Sequence, residues 1–273
     1  MNTQLKDGFG SNIYPVIKGL GGNDLLTVVT YNIGHFSQGV SPSSTIIASN
    51  YASKLASFRN LIYGFKADII GLTEYSSIFG KNVSSVDVNA SDVLFLEYPN
   101  VNEGQQIRYS CNAIYAKTKY ALSNVTKINF DAFSSLTTLV NGVSGADYYY
   151  YYGIFNFRGI DILFCEVHFP PSRCYTDSIG FTDGLQELVN RFSSYEHVII
   201  AGDFNWRWTW DGWGVITNAG YTAANPGTFI TYPETLSTID NIFVKGFTVN
   251  DVAIIENSLS DHYPLIASLD ISF

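Results

Sequence analysis

Short apolar runs that close on a polar or acidic residue recur from Leu25 to the end of the chain, and they constrain the fold more than any other feature. LLTVVTYNI, ADIIGLTE and HVIIAGDF carry the β-branched residues of buried strands, and the first two flank YASKLASFRNLIYGFK. In that intervening segment Leu55, Phe58, Ile62 and Phe65 fall at helical spacing, so an amphipathic helix is expected. Strand, helix, strand implies a parallel crossover. DVLFLEYP, NAIYAK, YYYYYGIFNF and DILFCEVHF follow at short intervals, as antiparallel meanders do. TDSIGFTDGLQELVNRF then sets Leu185, Leu188, Val189 and Phe192 behind a Thr or Asp cap, which predicts a second helix before the strand HVIIAGDF. TFITYP, TIDNIFVKG and DHYPLIASLDISF complete the strand-like segments of an α/β chain. The run Tyr148 to Tyr152 reads as an edge or half-buried strand rather than a platform for stacking bases.

No break in composition divides this pattern, so residues 24–273 are expected to form one domain, with residues 1–23 as an N-terminal extension or linker. Gly19-Leu20-Gly21-Gly22 precedes a strand instead of opening a helix, which argues against a phosphate-binding loop. LKDGFGSNIYPVIKG resembles the short leader of some bacteriophage tail-appendage proteins. With 46% hydrophobic and only 14% charged side chains the chain is neither disordered nor fibrous. No apolar run approaches the roughly 18 residues of a membrane span, and MNTQLKDGFG has no signal-peptide character. The cellular location stays open on this reading, cytoplasmic or, if the leader resemblance holds, virion-associated. Cys111, Cys165 and Cys174 lack CxxC spacing and are expected as buried thiols. A net charge of −9, from 15 basic and 24 acidic residues, speaks against a basic nucleic-acid patch but suits a site that concentrates acids on a divalent cation.

The residues closing the apolar runs are the wrong kind for a core. Asn32 ends LLTVVTYN, Glu74 ends ADIIGLTE, His168 lies in LFCEVHF, and Asp203 and Asn205 end VIIAGDFN. Asp240 in STIDNIF and the Asp261-His262 pair in SLSDHYP are placed in the same way. Each buried acid needs a partner to offset its desolvation. Strand ends in α/β proteins are where a rigid scaffold aims side chains into one crevice.

The order TYNI, ADIIGLTE, NAIYAK, EVHFP, AGDFN, IDNIF, SDHYP resembles the endonuclease/exonuclease/phosphatase superfamily, the DNase I-like phosphodiesterases and phosphatases, over nearly the whole chain. The resemblance implies a single-domain α/β sandwich of two packed mixed sheets flanked by helices, with the site at one end. It implies Glu74 as the principal ligand of Mg²⁺, with Mn²⁺ or Ca²⁺ as alternatives, and Asn32 and Asp261 close to the metal. It assigns Asp203 to the attacking water, Asn205 and Asn112 to phosphate oxygens, His262 to a pair with Asp240, and His168 to the phosphate or leaving oxygen.

The departures from the family pattern are informative. Gly34 stands where some abasic-site nucleases carry an acid, and His168 stands where they carry Tyr. Near Arg108-Tyr109-Ser110-Cys111 there is no evident acid to orient His168 as in pancreatic-type deoxyribonucleases, Glu103 being a nearby candidate. WRWTWDGWG holds all four tryptophans, which either stack on substrate or pack over the sandwich end; Trp206 and Arg207 are the candidate substrate contacts, and Arg173 has similar standing. Three functions therefore compete: a Mg²⁺-dependent nuclease on DNA, a hydrolase of a smaller lipid- or carbohydrate-linked phosphate, and a non-catalytic module of a phage tail appendage. A monomer without a membrane span is expected in each case.

Overall fold

The apolar runs form strands whose two faces are both buried, and this doubles the core. The computed structural model describes residues 5–6, 12–13, 25–34, 57, 60–61, 64, 66–74, 100–103, 112–116, 120, 122–136, 148–175 and 178–271. Within the segment expected as a linker, β1 (Leu5–Lys6) and β2 (Asn12–Ile13) make a short antiparallel pair. The strands that follow are β3 (Leu26–Asn32), β4 (Ile69–Thr73), β5 (Asn100–Glu103), β6 (Asn112–Ala116), β7 (Ser123–Asn129) and β8 (Tyr149–Phe157). After them come β9 (Ile160–His168), β10 (Val198–Asp203), β11 (Thr222–Ala223), β12 (Asp240–Lys245), β13 (Phe247–Ile254) and β14 (Leu265–Ile271). They form two six-stranded mixed sheets, ordered β13-β14-β3-β4-β6-β5 and β11-β12-β10-β9-β8-β7. The chain is thus the expected α/β sandwich of two packed sheets.

Both parallel pairs, β3 with β4 and β9 with β10, are the ones the strand–helix–strand pattern predicts. The second crossover is α1 (Ile179–Arg191), whose Phe181, Leu185 and Leu188 are buried. It starts after Ser178, with no side-chain cap, rather than on the expected Thr or Asp. In the first crossover Ser57, Asn60, Leu61 and Gly64 are helical, while Leu55, Phe58, Ile62 and Phe65 lie outside the described residues. None of the helices among the described residues is long and apolar enough to cross a membrane.

Strand alternation sorts the side chains into two cores. Between the sheets lie Leu26 and Val28 of β3, Ile162 and Phe164 of β9, Ile199 and Ala201 of β10, and Ile242 and Val244 of β12. Leu163, Cys165 and Val167 face the other way, onto α1. Each fully buried aliphatic or aromatic side chain contributes about 2 kcal/mol, so the inter-sheet layer fixes how the sheets face each other. Carried outward along the same faces at period two, these rows end in Asn32, His168, Asp203 and Asp240. Those four polar side chains are therefore placed in one crevice at one end of the sandwich.

Several expectations need correction. β8 is an interior strand, between β7 and β9, so the tyrosine run is not at an edge. Tyr149 and Tyr151 join the inter-sheet core while Tyr148 and Tyr150 join the α1 side, all four buried. TFITYP is a loop whose Tyr232 makes only an isolated bridge to Ser237, because the chain must bend there to bring Thr231 against β12. DVLFLEYP lies outside the described residues apart from its neighbour β5. β7 and β13, rich in Asn, Ser, Thr and Asp, are strands that the apolar pattern does not announce. Cys165 and Cys174 are buried free thiols, and Cys111 is outside the described residues.

Candidate active site

Five strand ends from two sheets meet at this crevice. β3 brings Asn32, β4 ends just before Glu74, β9 ends in His168 and β10 in Asp203, which pairs in register with His168 on one side and with Asp240 of β12 on the other. The Gly202 of AGDF is needed because β10 approaches β9 closely: its φ is 144°, and a Cβ there would sit 1.9 Å from the Val167 carbonyl oxygen. Glu74, one residue past β4, and Asn205, two residues past β10, each stand at φ 51°, a left-handed turn just beyond the strand end.

Asn32 ties the sheets together. Its Nδ2 donates to Asp203 Oδ2 at 2.9 Å and to Glu74 Oε1 at 3.3 Å, and its Oδ1 accepts the Gly34 N–H at 3.0 Å. That last bond fixes the amide orientation, so Asn32 presents a donor to the acids. Ser260 Oγ donates to the Asn32 carbonyl at 2.7 Å and accepts the His262 N–H at 3.2 Å, which brings the SDHYP segment to the same place. His262 Nδ1 lies 2.9 Å from Asp240 Oδ2, and its Nε2 is 3.8 Å from Asp203 Oδ2. The ring of Tyr232 covers it at 4.8 Å between centroids.

The electrostatics follow from crowding four acids in a dry place. Burial pushes Glu74 up to about 7, although its side chain is 24% exposed and solvent moderates that shift. Burial first, and then the Asp240 carboxylate, push Asp203 up to about 8. For His262 burial acts downward, but Asp240 and Asp203 together outweigh it and raise the imidazole to about 10, so it is a cation at neutral pH. His168 differs. Asn205 Nδ2 donates to the Phe169 carbonyl at 2.9 Å and lies 3.2 Å from His168 Nε2. An amide nitrogen is only a donor, so at this contact Nε2 is placed to accept. Its Nε2 is also 3.7 Å from both Glu74 Oε1 and Asp203 Oδ2.

Two groups could hold a cation. Asp203, Asp240 and His262 offer ligand atoms within 4.8 Å of one another. In that set the His262 nitrogen facing Asp240 carries a proton, and a metal would have to displace it. Glu74 and Asp261 provide hard carboxylate oxygens beside it, and the upward shifts of Glu74 and Asp203 mark a site short of positive charge. Their donor chemistry fits Mg²⁺ or a similar hard cation. Asn112 starts β6 opposite Thr73, which places its backbone beside the crevice.

The tryptophan loop packs instead of opening to the crevice. Trp206 is 8% exposed, stacked on Phe181 with ring centroids 4.8 Å apart and planes 11° apart, and its Nε1 donates to the Asp211 carbonyl. Trp213 is buried against Phe243 and Phe204. Trp206 is thereby corrected from a substrate contact to a packing residue, since its stacking face is already covered. Arg207 lies over Trp210, 5.4 Å from the ring centroid. What the sequence did not single out is Thr231, whose Oγ1 accepts the backbone N–H groups of Ile239 and Asp240, and Tyr232 over His262. An aromatic following a Thr just before the IDN motif was the only available signal.

The sequence matches the model of the Endonuclease/Exonuclease/phosphatase family over residues 29–262. The chain belongs to that family. Its members are hydrolases acting on phosphodiester bonds, typically dependent on a divalent metal. Among solved structures it is similar to the family protein from Bacteroides vulgatus, at 17% identity and TM-score 0.67, covering 91% of this chain and 99% of that one. It is also similar to D. rerio TDP2 complexed with single-strand DNA product, at 16% identity and TM-score 0.64, covering 90% and 99%. The human Nocturnin catalytic domain with bound sulfate aligns at 14% identity and TM-score 0.65, covering 91% and 94%. At these identities the likeness shows the fold. Curated protein sequences give no match.

Proposed function

We propose that the chain is a divalent-metal-dependent phosphodiesterase of the endonuclease type, acting on DNA. The observation that carries this reading is the constellation of Asp203 between Asn32 and a charged His262–Asp240 pair, with Glu74 at the crevice mouth. Hydrolysis needs a base for the attacking water, donors for the charge that builds on the phosphate oxygens, and an acid for the leaving oxygen. Asp203, oriented by the Asn205 N–H at 2.7 Å and by Asn32, is the base in its carboxylate form, which the charge of a bound cation would favour at neutral pH, and it takes the water proton as the new P–O bond forms. His262, held by Asp240, donates from Nε2 to a non-bridging phosphate oxygen. His168 takes a proton from bulk water as the substrate binds and passes it to the leaving oxygen as the old P–O bond breaks. Asn205 turns an amide hydrogen from His168 to the phosphate at that stage, and Asn112 serves the same phosphate. Glu74 and Asp261, with Asn32 beside them, would hold Mg²⁺, Mn²⁺ or Ca²⁺, whose charge would offset the crowded acids and polarise the phosphate.

The charge deficit favours a second substrate class. A chain of net charge −9 repels a long polyanion more than it repels a single diester, so a smaller lipid- or carbohydrate-linked phosphodiester is the alternative. The intact charged dyad weighs against a purely structural appendage module. Purified protein with Mg²⁺ should nick supercoiled plasmid and cleave bis-(p-nitrophenyl) phosphate. Glu74→Gln and His262→Ala should each lower turnover by about 10²- to 10⁴-fold while the cooperative unfolding transition is retained. Chromogenic cleavage without nicking would move the assignment to the small diester, and silence with all divalent metals would remove the enzymatic reading.

A further inference from the structure

Beneath the acids and histidines lies one more carboxyl that the hydrolytic scheme leaves unused. Glu166 sits on the inward face of β9, two residues before His168, and is fully buried between the sheets. Its Oε1 accepts the Thr30 hydroxyl at 2.9 Å, and Thr30 stands two residues before Asn32 on β3. In register beside Thr30 is Gly71 of β4. A Cβ at Gly71 would lie 1.7 Å from Glu166 Oε2 and 2.1 Å from its carboxyl carbon, so the glycine exists to admit this side chain. Oε2 itself has no hydrogen-bond partner among the described residues. A strand advances about 3.3 Å per residue, so this contact forms the layer directly under the one containing Asn32, His168 and Asp203.

An apolar side chain of similar length would fill that gap without a buried, half-satisfied acid. A glycine in the middle of a strand is a further cost. Two unfavourable choices meet at one point, immediately under the site. The geometry points to Glu166 as a positioning residue: its carboxyl, wedged between Thr30 and Gly71, sets the spacing of β3 and β9 and so aims Asn32 and His168 at Asp203. Its own state follows from its surroundings. Burial, reinforced by Asp240 and Asp203, pushes the carboxyl well above the ordinary range, so the wedge is a neutral acid. A neutral acid adds no negative charge to a site that already holds four.

This inference rests on the phosphodiesterase reading for its turnover readout alone, and the imidazole NMR signals of His168 and His262 report the same geometry without turnover. Glu166→Gln preserves a neutral acceptor and should keep both imidazole signals and a kcat within about threefold of the unmodified chain. Glu166→Leu and Thr30→Val each break the contact. They should displace the His168 signals and lower kcat about tenfold or more at a KM within about twofold, because small misplacements of catalytic groups cost rate more than binding. If Glu166→Leu does not fold, Thr30→Val reads the same hydrogen bond. Unmoved imidazole signals in the folded Leu and Val variants would overturn the inference, as would a Gln variant that behaves like Leu. An inactive unmodified chain would overturn the phosphodiesterase reading, and the imidazole signals would still decide the role of Glu166.

Discussion

Glu74, Asp203 and His262 all have affinities for protons above their ordinary values, but the consequence for stability has one sign. An acid whose folded pKa is raised holds its proton more tightly in the native state, so the native state loses stability as pH climbs from the ordinary to the raised value. For Glu74 that window runs from 4.5 to about 7, and for Asp203 from 3.8 to about 8. His262, raised from 6.5 to about 10, contributes stability that is complete below 6.5 and is lost as pH rises toward 10. All three therefore make the metal-free protein less stable as pH increases, the reverse of a protein held by ionised salt-bridged acids. A divalent cation competes with the acid protons, so the melting temperature should gain little from millimolar Mg²⁺ at pH 5 and several degrees at pH 8. Differential scanning calorimetry at the two pH values measures this, and a gain independent of pH would contradict the crowding of these acids. Their identities were legible in the sequence because each is a polar residue closing an apolar run. Their protonation was not legible, since it depends on Asn32 and Asp240 arriving from distant strands.

The elements divide between those that the apolar period announces and those that it does not. β3, β4, β9 and β10 are buried on both faces and read as near-continuous apolar runs. β7 has no buried residue and β13 is mostly half-exposed, so their sequences carry no such signal and only pairing with β8 and β14 makes them strands. The tryptophan loop shows the same limit from the other side: an aromatic cluster in sequence is compatible with binding or with packing, and contact with α1 decides it. Trp206→Ala removes a ring stacked on Phe181 and should cost about 3–5 kcal/mol in urea unfolding. Trp210→Ala, at 38% exposure, should cost under about 1 kcal/mol. Neither should change KM for a diester substrate by more than about twofold. A large KM effect at Trp206 without loss of stability would return the loop to a binding role.

At the scale of the whole molecule, the sandwich brings acids from three strand ends and the loop before β14 together in a chain of which only 14% of residues are charged. The sequence has 15 basic residues against 24 acidic ones, and Arg207 of the tryptophan loop is already paired with a tryptophan ring. A protein that grips DNA through a basic patch loses affinity steeply as salt rises, by about one power of salt concentration for each phosphate contact. Here the long-range field is repulsive, and salt screens it over about 10 Å at 0.1 M. With Mg²⁺ held constant, KM for plasmid should therefore stay level or fall as NaCl rises from about 10 to about 150 mM, over which repulsion is progressively screened. KM for bis-(p-nitrophenyl) phosphate, a single charge, should be nearly insensitive over the same range. Steady-state kinetics on both substrates across the salt series checks this. A steep rise in the plasmid KM would reveal a localised basic face and make DNA the substrate that this surface was shaped for. A level or falling plasmid KM with a far higher kcat/KM on the small diester would instead place the activity on compact phosphodiesters, where a crowded acidic crevice needs no help from the surrounding surface.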